Sequence, residues 1–295
     1  MLQGAGVLRC SVAATMSRHE VQIDTTPVDH ATAAAIEAAE ARAWLDLYAA
    51  APVDWAQRAG QSTRWVGGTL VLQWAATGRR YFSRAIGFGV VEPATPEALD
   101  EILAGWDAGG IDMFLVQSLP HCRPAGFDEL LRSRGLEEFD RQDRIVRGAD
   151  VAVQFPGAYE VERVDASTAD EWAAFLQRVY RLETGRWLQL LIDRPGWRQY
   201  VARDRGEIVA ARGMYHGPDG IAWLGMDGPV PGLGTEDYEP DAAICARIVD
   251  DGLAAGATAF IADIEAPADG LDTPAYANFA QLGFRRPYVR THFTR

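Results

Sequence analysis

Apolar residues recur at helical spacing from Thr32 to Ala51, where Ile36, Ala39, Ala43, Leu47 and Ala50 are separated by Ala, Glu and Arg. The pattern predicts a helix that ends at Pro52. Arg64 to Trp74 and Tyr81 to Val90 are rich in β-branched and aromatic residues and flank Thr77-Gly78, which reads as a hairpin. Thr95 followed by Pro96 is an N-cap with proline at the first helical position, so a helix is expected to run to about Trp106, with Gly109-Gly110 behind it. A short strand over Asp112 to Ser118, a helix from Gly126 to Arg134 closed by Gly135, a strand from Gln142 to Arg147 and a loop from Gly148 to Gly157 follow.

The second half repeats this order. Its expected elements are a strand Tyr159 to Val164, a helix Ser167 to Tyr180, hairpin strands within Gln199 to Tyr215 and Ile221 to Met226, a helix from Ala242, a strand Thr258 to Glu265, a helix Pro274 to Leu282 and terminal strands. Leu130 to Leu136 parallels Asn278 to Phe284, each a helix end, a glycine able to take positive φ and an apolar residue opening a strand. A period this long means duplicated domains, because solenoid units are far shorter. The expectation is an α/β chain of two tandem units, residues 31–150 and 151–295, each a mostly antiparallel mixed sheet flanked by helices, behind a disordered leader over residues 1–30.

A chain of 295 residues with 48% apolar content can bury such cores. Its formal net charge of -13 argues against nucleic acid and anionic membrane surfaces as partners and points to a small molecule or a protein. Cys10, Cys122 and Cys245 lie far apart with no metal-ligand spacing, which fits a reducing cytoplasm.

The element order, with the wording Ala85 to Thr95 and Leu119 to Pro124 in the first half and Arg194 to Trp197, Ala222 to Gly225 and Pro274 to Phe279 in the second, resembles tandem GNAT proteins of the acetyltransferase superfamily. The resemblance implies acetyl-CoA or another acyl-CoA as donor, held at a loop patterned Arg/Gln-x-x-Gly-x-Gly/Ala before a helix N-terminus. In the second half this place reads Gly232-Leu233-Gly234 and continues to Asp241 with four carboxylates and no Arg or Lys, a sequence that repels a pyrophosphate, and Asp241 is expected to N-cap the helix. In the first half Pro96 lacks the N–H a phosphate would need.

The resemblance also implies that Tyr276 protonates the leaving CoA thiolate, the alternative being a helix-start tyrosine packed beneath a strand. Glu265, ending its strand where the sheet of this fold splays, is a candidate general base, or else a solvated strand end. Asp227 could bind a substrate amine or act as base, or belong to an Asp-Gly turn. Trp187, Trp197, Trp223 and Tyr215, with Asn278, are candidates for a substrate wall, against the plainer reading of core packing. His121-Cys122 invites a nucleophile reading that adjacency disfavours, and His216 sits in a turn. Two functions stand side by side. One is a GNAT-type N-acyltransferase acting on the amine of a small molecule. The other is a GNAT-fold protein without acetyl-CoA, which catalyses another small-molecule reaction or only binds a ligand in the second-half cleft. A structural first half that buttresses the second and helps it form a homodimer is compatible with either.

Overall fold

The computed structural model describes residues 22–151, 159–229, 239–267 and 273–295. The first half contains α1 (His30–Ala49), α2 (Val53–Ala59), β1 (Gln61–Val66), β2 (Thr69–Trp74), β3 (Arg84–Ile86), α3 (Pro96–Ala108), β4 (Leu115–Ser118), α4 (Phe127–Ser133) and β5 (Glu137–Gly148). The second contains β6 (Glu160–Arg163), α5 (Ala169–Tyr180), β7 (Trp197–Asp204), β8 (Glu207–His216), β9 (Ile221–Pro229), α6 (Glu239–Ala254), β10 (Ala259–Glu265), α7 (Pro274–Gln281) and β11 (Arg285–Thr294).

Most expected elements form where their local chemistry sits. Asp29 caps α1 by accepting from Thr32 N–H at 2.7 Å, and Thr95 caps α3 by accepting from Ala98 N–H at 3.1 Å with Pro96 at its first turn. Gly135 and Gly283 both adopt left-handed φ, 77° and 79°, so the two matching helix ends close alike. The first helix ends at Ala49, before Pro52, and the short α2 follows as a separate helix. One expectation needs correction: Arg64 to Trp74 is itself a hairpin, turning at Gly67-Gly68 between β1 and β2. The Thr77-Gly78 turn instead ends a short 3-10 segment, and β3 begins only at Arg84.

The described strands join one sheet, in the order β1-β2-β3-β4-β11-β5-β10-β9-β8-β7-β6. The terminal strands of the halves are exchanged: β11 lies beside β4 of the first half, and β5 lies beside β10 of the second, each antiparallel to its host. The exchanged pair also bond to each other, with Tyr288 opposite Arg144 and Arg290 opposite Gln142. Period-two alternation then divides the side chains between the two faces. Helices α1 and α5 cover one face; α3, α4, α6 and α7 cover the other, over Phe114, Val116 and Leu131 in the first half and Phe260, Ile244 and Leu282 in the second.

On the α1 face an aromatic seam crosses between the halves. Trp187 is 1% exposed, lies 5.1 Å from Trp74 and 5.5 Å from Trp55 by ring centroids, and donates its indole N–H to the Leu47 carbonyl at 2.7 Å. Burial of a ring this size contributes on the order of 3 kcal/mol. The same face holds a buried ion network. Glu37 and Glu40 of α1 and Asp263 of β10 meet Arg84 of β3, Arg144 of β5 and Arg290 of β11. Three carboxylates thereby balance three guanidiniums, as charges removed from water require.

Candidate active site

The parallel pair β9 and β10 is zipped only from Ile221–Ala259 to Trp223–Ile261. Beyond Trp223, β9 stays with β8 and β10 stays with β5, so the sheet opens into a wedge. A bulge steers β9 away: Ala211 faces Gly228 and Gly213 faces Gly225, so that Arg212 alone stands against Met226 and Asp227, and Met226 takes the left-handed φ of 56°. The wedge holds a cavity of about 840 Å³ that passes through the sheet, reaching Trp44 and Tyr180 on one face and Asp241 and Phe279 on the other.

Arg212 organises the α6 side. Its Nε and Nη2 donate to the two Asp241 carboxylate oxygens at 2.7 and 2.9 Å, and Nη2 lies 3.5 Å from Asp227. Burial opposes the charge on Arg212, but Asp227 and Asp241 outweigh it and hold the guanidinium well above its ordinary value. Asp241 therefore does not cap α6, as its sequence position suggests. It lies within the first turn of that helix and spends its carboxylate on Arg212.

On the α1 face the buried network forms the floor, with Arg84 and Asp263 reaching the cavity. The three guanidiniums Arg290, Arg144 and Arg84 overcome burial and hold Glu40 well below its ordinary carboxyl value. Tyr81, on the wall, donates to Asp140, which is 2.6 Å from His292 Nδ1. Burial depresses His292, so its ring is neutral near pH 7 and the Nδ1–H points at Asp140. Tyr180 donates to the Asp227 carbonyl, and burial followed by the Asp227 charge pushes its phenol well up.

Among the residues singled out in the sequence, the cavity brings together Glu265, Asp227 and Trp223. Glu265 is exposed at the end of β10, and the Asp227 side chain is 49% exposed. Tyr276 does not join them. Its neighbour Ala275 lines the cavity, whereas Tyr276 is buried, donates to Asp143 and accepts from Arg286 at 2.9 Å, with burial and the Asp143 carboxylate raising its phenol. Asn278 is buried on the same short helix away from the wedge. Trp187 belongs to the seam, and Trp197 donates to Asp46 at 2.7 Å with Tyr215 packed 5.1 Å away, so these three build the core rather than the wall. Gly232 and Gly234 lie outside the described residues. Cys122 is half-buried, desolvation pushes its thiol up to about 12, and His121 Nε2 instead contacts the Val28 carbonyl at 2.8 Å, so the adjacent pair forms no nucleophile.

The cavity residues that sequence reasoning missed are Arg212, Asp241's carboxylate partnership with it, Tyr180, Tyr81 and the Glu37–Glu40 pair behind the floor. For the last a signal exists: both glutamates fall on the buried stripe of α1 that also carries Ala33, Trp44 and Leu47. No metal-ligating group of three or more His, Cys, Asp or Glu occurs among the described residues. No helix among them is long and apolar enough to cross a membrane.

No family model matches the chain, and no curated protein matches it. Solved structures do. A GCN5-related N-acetyltransferase from Kribbella flavida superposes with TM-score 0.55 at 18% identity, covering 81% of this chain and 92% of its own. One from Sphaerobacter thermophilus gives 0.51 at 14% identity over 76% of this chain and 79% of its own. A tandem GNAT protein from the clavulanic acid biosynthesis pathway gives 0.50 at 13% identity and covers 91% of this chain and 96% of its own. The full-length match to a tandem protein, the repeated element order and the splayed parallel pair together make this a tandem GNAT fold.

Proposed function

We propose that the protein is an N-acyltransferase acting on the amine of a small molecule, with its reaction centre in the wedge between β9 and β10. The observation that carries this reading is the strand edge of β9 past Trp223, which has no strand partner facing the wedge among the described residues. Such an edge pairs readily with an extended, amide-bearing chain. The pantetheine arm of an acyl-CoA is a chain of that kind, and when bound it supplies an activated thioester. Leu224 to Asp227 and Asp263 to Glu265 would flank it. The first turn of α6 fits the phosphate end poorly, since it carries Glu239 and Asp241 and the nearest guanidinium, Arg212, is already neutralised.

The chain's own contribution lies with two carboxylates. Glu265 and Asp227 stand at the cavity mouth, where either can hold a substrate ammonium and take the proton that its nitrogen sheds as the N–C bond forms, while the donor's C–S bond would break and the thiolate would leave as thiol by taking up a proton. Trp44, Phe82 and Trp223 give the wedge apolar walls.

The test is acetyl transfer to a panel of amines, with calorimetric titration of acetyl-CoA. Glu265→Gln or Asp227→Asn is expected to lower kcat by about a hundredfold. Tyr276→Phe is expected to leave kcat nearly unchanged, because its hydroxyl is engaged off the cavity. If neither the protein nor a Glu236→Gln/Asp237→Asn variant bound acetyl-CoA, the acyltransferase reading would fall and the ligand-binding one would take its place.

A further inference from the structure

The charges that line the wedge fall into two sets. Arg84, Arg212 and Asp263 are committed, to Glu40 at 2.9 Å, to Asp241 at 2.7 Å and to Arg144 at 3.2 Å respectively. Arg79, Arg181 and Glu265 line the same cavity with no ion-pair partner among the described residues, and Asp227 has only its 3.5 Å approach to Arg212. A ligand entering the wedge therefore meets two uncommitted guanidiniums as well as two available carboxylates.

The backbone at Arg181 adds an independent observation. It terminates α5 in the left-handed conformation, φ 53° and ψ 51°, a place that glycine fills without steric cost. The corresponding helix of the first half, α1, ends at Ala50 in the ordinary right-handed region. Strained non-glycine residues concentrate where a side chain clamps a ligand. Here the strained residue is also a cavity-lining cation.

From this distribution we infer that the acceptor is zwitterionic, an amino acid or a molecule built on one, whose carboxylate is held by Arg79 and Arg181 while its amine faces Glu265 and Asp227. A polyamine or simple amine would leave both guanidiniums facing a like charge, and a plain carboxylic acid would leave both carboxylates so. Guanidinium groups suit a carboxylate because their planar N–H pairs match its two oxygens. The inference deepens the acyltransferase reading and rests on it only for the fate of the amine.

The experiment measures binding by calorimetry without any acyl donor, using the standard L-amino acids, their C-terminal amides and their decarboxylated amines as probes. At least one amino acid should bind about tenfold or more tightly than its decarboxylated amine, a preference that charge-assisted pairing supplies. Arg79→Ala and Arg181→Gly should each erase that preference by weakening the acid and leaving the amine unchanged. The inference is overturned if the amines bind as well as the acids, if no member of the panel binds, or if the variants weaken acids and amines alike. Acetyl transfer is then assayed on whichever amino acid binds. Binding without transfer would remove the acyltransferase reading and leave the zwitterion site standing, so the two failures are distinguishable.

Discussion

The ladder between β3 and β4 ends at Ala85–Val116 and the space beyond it is filled by the chain itself, whereas β9 and β10 separate after Trp223 and leave a cavity. The first-half strand β3 breaks at once into a turn in which Gly87 and Gly89 take φ of 81° and 79°. That turn folds the chain back so that Arg123 N–H donates to the Gly89 carbonyl and Ala94 N–H donates to the Arg123 carbonyl, both at 2.8 Å. A side chain on Gly89 would meet the Phe127 ring at 2.8 Å, so the space a ligand would need is filled. In the second half β9 runs on through its bulge to Pro229. The residue standing as far before Gly283 as Gln117 stands before Gly135 is Glu265. Gln117 is buried against His292, while Glu265 is exposed at an open mouth. Whether a parallel pair in this fold becomes a site or a seam is thus decided by the residues just after its first strand, glycines that turn the chain or a bulge that carries it on.

The sharpest way to break this comparison is to separate the two halves. We expect that chains cut between residues 151 and 159 and expressed singly will not fold, because each would lack the exchanged strand, β11 or β5, that completes its sheet. Co-expression should restore one folded complex, as read by circular dichroism and gel filtration. Independent folding of either half would show that the exchange is dispensable. Smaller but still large is the effect of Glu40→Ala, which leaves Arg84, Arg144 and Arg290 with one compensating carboxylate fewer beneath the wedge. Removing a partner from a buried ion cluster costs about 3–5 kcal/mol, to be measured by denaturant titration. The pH dependence follows from the same group. Its folded value lies below the ordinary 4.5, so its stabilisation is complete above 4.5 and is lost as the pH falls through the folded value. The variant should lose that acid-dependent component, and an unchanged acid profile would place the sensitivity elsewhere.

How much of this was legible in the sequence depends on how local the determinant is. Thr95 with Pro96, and Gly135 with Gly283, fix helix ends through atoms within a few residues of one another, and they read correctly. The splay at Glu265 follows from the resemblance and Asp227 from its place at a strand end, while the bulge that carries Asp227 has no signal in the sequence; the geometry brings both residues to one cavity. The exchange of β5 and β11 left no local mark, because a strand's own alternation does not say which neighbour it bonds. Tyr276 illustrates the sensitivity of a helix face: Ala275 reaches the wedge, and one step along the helix turns the next side chain about 100° toward Asp143. Trp187 and Trp197 read as surplus aromatics only while the halves are considered apart, since the seam that uses them joins both.

The finest probe of the comparison is the end of the first helix in each half. Ala50 closes α1 without strain, and Arg181 closes α5 in a conformation that disfavours every residue with a Cβ. Arg181 is exposed, so its replacement by glycine removes little packing and relieves the left-handed penalty. Arg181→Gly is therefore expected to stabilise the protein by about 1 kcal/mol, read as a higher Tm, even as it weakens ligand binding at the open wedge. At Ala50, already right-handed, the same substitution should instead destabilise slightly, by a few tenths of a kcal/mol or more, through added freedom in the unfolded chain. Opposite signs at the two positions would mark the strain as belonging to the open half, where it serves the ligand. A loss of stability at both would mean that Arg181 is held by contacts of its own, and that its backbone geometry carries no functional meaning.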